Sequence, residues 1–594
     1  MKKTGLMLML CASLVLPSAA HAAPVHDTPA TYNTNIEIED GMTQPIYNMD
    51  DAIMEEVFIE TSVDSDNNGE LDRVNARIIR PGETENGLEV PAIYTMSPYN
   101  AGLNYPLEFY DVDKNLNAVD HPGKPLVTGA KNAAGLPGYL DDYFVPRGYA
   151  YISADSIGTG GSNGCATTGD YQEVEGTKAV IDWLNGNAKG YSEDGEEVTA
   201  DWSTGNVGMT GVSYNGTLPN AVATTGVEGL KTIVPIAAIS DWYDYYRSNG
   251  AVIAPGGYQG EDADVLAKAV LTRENPELCA SVMEELTEGQ DRETGDYNEF
   301  WDERNYINDI KNVEASVLVV HGLNDWNVKT EQFAQWWDAL EEHDVPRKMW
   351  LHQYGHSDPY YIRQDEWMTT LNKWFDYWLY EVDNRIMDEP MVDIQREDLS
   401  WKTMTNWPAE DAKDTKLHFR ADKETLGSLS FSQVPNSDKT KDTIIDDPTR
   451  TVETLVEDLE GNQENLAVYL TEPLEEEMRL SGVPEVSLRA GLDAPTANLT
   501  ALLVDYSGEE TEIITRGWMD PQNINSDWKA KSLSPGKKYT FQWDLQPDDY
   551  IFKAGHQLGV VIISTDYDYT LRPEGGTTIT IDPASSYIKL PLVK

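Results

Sequence analysis

The chain has 594 residues, with 101 Asp and Glu against 44 Lys and Arg, 3 Cys and a 40% hydrophobic fraction. That apolar content over that length predicts about three packed units and rules out wholesale disorder. A formal charge of −57 argues against nucleic acid or anionic lipid as partners, because a phosphate-binding surface needs clustered Lys and Arg; screening at high ionic strength would relieve the self-repulsion.

Lys2 and Lys3 precede an apolar run from Leu6 to Leu16, and Ala20-His21-Ala22 gives a small-x-small pattern. Residues 1–22 therefore read as a secretory signal peptide cleaved after Ala22. No later stretch reaches the roughly 18 apolar residues of a membrane span, so an exported, soluble chain with no membrane partner is expected. Cys11 leaves with the leader; Cys165 and Cys279 remain as candidates for one disulfide. Neither lies in a Cys-x-x-Cys pair, and zinc-site spacing is absent.

Glu56 to Glu60 and Val74 to Ile79 flank a polar turn and predict a hairpin. Apolar runs then alternate with helix-like segments: Val90 to Met96, Tyr149 to Ala154, Val207 to Thr210, Thr232 to Ala237, Ser316 to Val320 and Lys348 to His352 against Gln172 to Asn185 and Thr330 to Glu342. This rhythm predicts an α/β domain with a mostly parallel sheet over residues 23–390. It is interrupted at about 241–306 by an aromatic- and acid-rich helical stretch, read as an inserted cap. From residue 391 to 594 period-2 segments separated by Gly, Pro, Asp and Asn predict a β-sandwich of jelly-roll type.

Gly211-Val212-Ser213-Tyr214-Asn215-Gly216 joins a strand to a helix of small residues, the setting in which a serine Oγ is exposed at a sheet edge. The second glycine falls one place later than in G-x-S-x-G. After later strands come Asp325, in His321-Gly322-Leu323-Asn324-Asp325-Trp326-Asn327, and His356, in Tyr354-Gly355-His356. Serine, carboxylate, histidine is the chain order of the α/β-hydrolase triad. His356 would take the Ser213 proton, with Asp325 fixing the imidazole; His352, inside the last strand, is a rival base. The backbone N–H of Tyr214 is the first candidate oxyanion donor.

These motifs, with Ala223-Thr224-Thr225-Gly226-Val227-Glu228-Gly229-Leu230, Ser240-Asp241-Trp242-Tyr243-Asp244-Tyr245-Tyr246-Arg247 and the run through Val328, resemble the X-prolyl dipeptidyl aminopeptidases, serine peptidases related to cocaine-esterase-like and α-amino-acid ester hydrolases. The likeness covers nearly all of the chain after the leader, without the large N-terminal helical domain of the lactic-acid-bacterial members. It implies an α/β-hydrolase fold, no cofactor, and peptide substrates with proline as second residue. It also implies a second oxyanion donor, Tyr99 in Ser97-Pro98-Tyr99-Asn100, and an aromatic proline box of Trp242, Tyr245, Tyr258 and Val328. Glu261 in the cap would receive the substrate α-ammonium, with Asn327 as a second ligand; Asp262 or Asp264 would replace Glu261 if the alignment slips.

Asp64-Ser65-Asp66-Asn67-Asn68-Gly69-Glu70-Leu71-Asp72 places oxygens as in the start of an EF-hand calcium loop, but its twelfth position is Asn75, so a solvated turn is the expected reading and no metal is assigned. Two other functions fit the same residues. One is an esterase or acylase using the same triad; the other is an inactive carbohydrate- or surface-binding protein on a hydrolase scaffold.

Overall fold

A computed structural model describes residues 36–104, 106–113, 116–120, 138–422, 426–432 and 440–593. The leader read at 1–22 lies outside them. A twelve-stranded sheet forms the first domain, in the order Glu197–Val198, Gly190–Tyr191, Ile53–Glu60, Arg73–Arg80, Ala150–Asp155, Val90–Ser97, Ser203–Val212, Leu230–Ile236, Ser316–Gly322, Arg347–His352, Val392–Gln395, Trp401–Met404. Neighbours from Ala150–Asp155 to Val392–Gln395 are all parallel, and the predicted hairpin is the antiparallel pair at one side. This is the α/β-hydrolase arrangement.

Strand alternation feeds two cores. Val317 and Val319 enter one with Tyr94, Met209 and Trp336, whereas Leu318 and Val320 enter the other with Trp350, Trp374 and Phe375. Both strand faces are therefore apolar, which is why these segments read as continuous runs. The helix Tyr171–Leu184 begins at Asp170, whose carboxylate accepts from the amides of Gln172 and Glu173, a cap that contributes about 1 kcal/mol.

The cap contributes the helices Trp242–Tyr246, Ala263–Val270, Ala280–Gly289 and Glu299–Asp302. Cys165 and Cys279 are joined as a disulfide, with Cα atoms 5.6 Å apart, tying the cap to the loop after Ala150–Asp155.

The C-terminal domain is a β-sandwich around Leu417, Phe419, Val486, Leu488, Phe541, Val560 and Ile588. Its first strand, Ala412–Arg420, begins later than the boundary expected at 390/391. Val392–Gln395 and Trp401–Met404 instead extend the hydrolase sheet, the second of them antiparallel. Short strands bounded by turn residues look alike whichever sheet they join, so periodicity alone could not place them.

Candidate active site

Ser213 sits between the strand Ser203–Val212 and the helix Tyr214–Ala223 with φ 65° and ψ −127°. A non-glycine residue there is held at a cost of about 1–3 kcal/mol, so the surroundings must enforce the turn. The Ser213 amide donates to Ile236 O at 2.9 Å. A Cβ on Gly216 would lie 2.6 Å from Gly211 O and 2.9 Å from Ile236 O, and one on Gly211 would lie 2.4 Å from Asn215 O. The late glycine is thus the residue that lets this helix cross close to its neighbouring strands.

Asp325 and His356 follow the strands Ser316–Gly322 and Arg347–His352, parallel neighbours at the same sheet edge as Ser213. Asp325 is buried. Its Oδ1 accepts from the amides of Asn327 and Val328 at 3.0 and 3.1 Å, which leaves Oδ2 to meet His356 Nδ1 at 2.6 Å. That bond directs Nε2 of the half-exposed His356 away from the carboxylate. The two loops are laced together by Leu323 N to His352 O at 2.8 Å and Asn324 N to Tyr354 O at 3.3 Å. His352 is fully buried in its strand, and burial pushes its imidazole down to about 4. It is a neutral core residue, poorly suited to accept a proton near neutrality.

The N–H of Tyr214 is the first of its helix and has no intrahelical acceptor. The Tyr214 hydroxyl donates to buried Glu173 Oε2 at 2.7 Å, and Glu173 also receives Ser156 Oγ at 2.6 Å and Gly169 N at 2.7 Å. Glu173, unanticipated from sequence, therefore anchors the side chain next to Ser213. Tyr99 meets the Tyr214 ring edge-on at 6.0 Å between centroids. Burial, with Glu261 and Glu173 nearby, pushes the Tyr99 hydroxyl well above its usual range, so it stays a proton donor. Asn100 pins this turn through Nδ2 to Asp155 Oδ1 at 2.9 Å.

The predicted aromatic residues lie together. Trp242 packs against Tyr214, Tyr245 and Tyr246 at 5.0, 5.8 and 6.2 Å, and its indole N–H donates to Tyr306 at 2.9 Å. Trp242 and Val328 are fully covered, whereas Tyr99 and Tyr258 are partly open. Tyr245 is buried with Trp242 and Val328. Tyr245 donates to Asn327 Oδ1 at 3.0 Å. Tyr258 begins the turn whose end is Glu261, with Glu261 N donating to Tyr258 O at 3.0 Å.

Of the three acids left open in the cap, two are already paired. Asp262 is bound by Arg247 at 3.0 Å and Arg292 at 3.1 Å, and Asp264 by Arg292 and Lys268. Glu261 is buried and has no ion pair among the described residues; its Oε1 accepts from Tyr246 at 3.0 Å. Burial pushes its carboxyl up to about 7, opposed by the Tyr246 hydrogen bond and by Lys329. Lys329 is itself buried, donates to Ala254 O at 3.0 Å, and is pushed down to about 7 by desolvation. Neither Lys329 nor Tyr246 was assigned a role from sequence.

A family model described as X-Pro dipeptidyl-peptidase (S15 family) matches residues 68–358, and one described as X-Pro dipeptidyl-peptidase C-terminal non-catalytic domain matches residues 384–590. A Bacillus cereus protein named as a candidate Xaa-Pro dipeptidyl-peptidase is 55% identical over all of both chains. The Xaa-Pro dipeptidyl-peptidase of Lacticaseibacillus rhamnosus is 33% identical over 93% of this chain and 78% of its own length. In fold, a solved α-amino-acid ester hydrolase superposes with a TM-score of 0.65 at 19% identity, covering 96% of this chain and 100% of that one. A CocE/NonD family hydrolase from Staphylococcus aureus gives 0.65 at 16% identity, covering 91% and 96%. With both halves of the chain matched in order, this protein belongs to the S15 family of X-Pro dipeptidyl-peptidases.

Proposed function

We propose that this chain is an exported serine exopeptidase that releases Xaa-Pro dipeptides from free peptide N-termini. Ser213 Oγ attacks the carbonyl carbon of the proline residue while His356 Nε2 takes its proton, and Asp325 stabilises the imidazolium through Nδ1. The oxyanion is received by the Tyr214 N–H and the Tyr99 hydroxyl, each donor contributing about 3–4 kcal/mol by analogy with measured oxyanion holes. Collapse breaks the C–N bond, and His356 gives its proton to the departing amine. Water, deprotonated by the same imidazole, then attacks the Ser213 ester and frees the dipeptide.

The observation that carries the exopeptidase reading is Glu261, a buried carboxylate without a cationic partner within ion-pair distance among the described residues, placed beside the tyrosines of the box. A substrate ammonium would supply the missing charge and fix how far along the peptide Ser213 reaches. Proline suits the box because its ring is compact and it brings no N–H that needs an acceptor. The Cys165–Cys279 disulfide, with the leader-like residues 1–22, supports export into an oxidising compartment.

The test is hydrolysis of an Xaa-Pro anilide, its N-acetyl derivative and a simple aryl ester by wild type and Ser213→Ala. The reading expects the free-amine anilide to be preferred and all turnover to need Ser213. Equal kcat/KM on free and acetylated anilides would overturn the exopeptidase assignment, and preference for the ester would favour an esterase.

A further inference from the structure

The acidic turn between the strands Ile53–Glu60 and Arg73–Arg80 takes no part in hydrolysis, yet it is built as a site. Carboxylate oxygens of Asp64, Asp66 and Asp72 come within 4.8 Å of one another. Asp72 is fully buried. Its Oδ2 accepts from Ser65 N at 2.7 Å and Ser65 Oγ at 2.6 Å, while its Oδ1 is buried with no hydrogen-bond partner among the described residues. A carboxylate oxygen in that position loses its hydration without compensation unless something else in the cluster binds it.

Charge indicates what that is. Asp66 Oδ2 is paired with Arg273 at 2.7 Å. Three carboxylates against one guanidinium leave two negative charges, the complement of a divalent cation. The donors are all hard oxygens, with neither thiolate nor imidazole in the cluster, which selects against zinc and toward calcium. Asn75, at the place of the missing twelfth ligand, is held by its nitrogens, Nδ2 donating to Glu56 Oε1 at 2.8 Å and its backbone amide to Ser162 Oγ at 2.9 Å, while its Oδ1 is buried with no hydrogen-bond partner among the described residues. The buried Asp72, at the ninth position, closes the loop instead.

We propose that Asp64, Asp66 and Asp72 hold one calcium ion that fastens the N-terminal hairpin to the disulfide-linked base of the cap. The attachments on the protein side are present. Cys165 N donates to Ser65 Oγ at 2.7 Å, and Arg273 Nη1, bound to Asp66, also donates to Gly164 O at 2.6 Å. Cys165 continues through its disulfide to Cys279, which precedes the cap helix Ala280–Gly289. Calcium at this junction is structural: it holds the cap's base and does not touch the reacting atoms.

The full-length protein, stripped with EDTA and desalted, is titrated with calcium chloride at constant ionic strength and followed by native mass spectrometry and thermal unfolding. One Ca2+ per chain is expected, with half-saturation between about 10 μM and 1 mM, the range of sensor loops to extracellular modules, and a Tm that rises with calcium. Magnesium chloride at the same concentration should give a much smaller rise. Asp72→Asn should lose the calcium-dependent rise; because it also weakens the Ser65 contacts, Asp64→Asn, at the half-buried start of the turn, is the second variant and should fold and lose the rise as well. No bound calcium at 1 mM, an equal rise with magnesium, or a rise retained in Asp64→Asn would overturn the site.

Discussion

The Tyr245 hydroxyl donates to Asn327 Oδ1 at 3.0 Å, and the Asn327 amide in turn donates to Asp325 Oδ1 at 3.0 Å. One hydrogen bond therefore joins the cap to the acid loop, and a second within the loop carries on from Asn327 to Asp325. An amide oxygen has a second lone pair, so Asn327 Oδ1 retains capacity for a substrate ammonium after accepting from Tyr245. Tyr245→Phe keeps the aromatic surface and removes the bond. A neutral hydrogen bond contributes about 0.5–1.5 kcal/mol, so KM for an Xaa-Pro anilide should rise about 2- to 10-fold with kcat nearly kept. Steady-state kinetics check this; an unchanged KM would show that the cap is positioned by packing alone.

Glu261→Gln should lower kcat/KM on free-amine Xaa-Pro substrates by about 1.5–3 kcal/mol, the range for a hydrogen bond to a charged group, and hardly affect N-acetyl substrates. Because burial pushes this carboxyl up to about 7, it must lose a proton to receive an ammonium. KM for free-amine substrates should therefore rise as pH falls below about 7, and this limb should vanish in Glu261→Gln. An equal loss on acetylated and free substrates would remove Glu261 from amine recognition.

The same group gives a stability prediction of opposite sense to that of a salt-bridged acid. A carboxyl raised from 4.5 to about 7 on folding leaves stability intact below pH 4.5 and subtracts from it as pH rises, with the full cost present above 7. Glu261→Gln should accordingly melt higher than wild type at pH 8, by an amount on the order of 1–3 kcal/mol, and nearly equal to it at pH 4.5. Lys329, pushed down to about 7 by burial and raised in part by Glu261, titrates in the same range, so the difference between the two proteins reports Glu261 together with its interaction with Lys329. Thermal scans at both pH values decide it; a difference that does not grow with pH contradicts the burial argument.

Ser213→Ala and His356→Ala should each abolish turnover with the fold intact, and the double variant should be little worse than either, because such residues act as a unit. His352→Asn should keep the pH dependence of kcat, since its imidazole is buried and neutral in wild type. Additive losses in the double variant, or an acid limb that moves with His352, would shift the base assignment.

Chain order and strand pattern are the part of the fold that is legible in the sequence. The alternation of apolar runs and helices marks the parallel strands, and serine, aspartate and histidine each fall just past one of them. What stayed hidden depends on three-dimensional neighbours. Glu261 could not be told from Asp262 and Asp264 by position, because only the fold brings Arg247 and Arg292 onto the latter two. Trp242 looked like a lining residue, but the surrounding tyrosines cover it completely. Glu173 and Lys329 gave no signal because a buried charge is visible only once the groups that bury it are assembled.

The β-sandwich reaches the acid loop directly. Trp326, next to Asp325, packs against Tyr569 at 6.0 Å and Trp518 at 6.5 Å, both from the C-terminal domain. The guanidinium of Arg516 lies 5.0 Å from the Trp326 ring and 4.8 Å from that of Tyr569, and is itself held by Asp566 at 3.1 Å. From the cap side, Gly256 N donates to Trp326 O at 2.7 Å, and a Cβ on Gly256 would come within 2.6 Å of that oxygen. Trp326 is thus clamped between two domains, and the clamp fixes the turn that aims Asp325 at His356. Removing Arg516 would strand a buried Asp566 and confound the result with instability. Tyr569→Leu is the cleaner change, because it loosens the clamp without altering any residue before 391. It should lower kcat about 10-fold, the effect of a small misplacement of a catalytic pair, while KM changes little because the box and Glu261 are untouched. The low-field proton resonance of the Asp325–His356 hydrogen bond should broaden in parallel. A Tyr569→Leu enzyme with wild-type kcat and an unchanged resonance would show that the sandwich domain only covers the acid loop and does not position it.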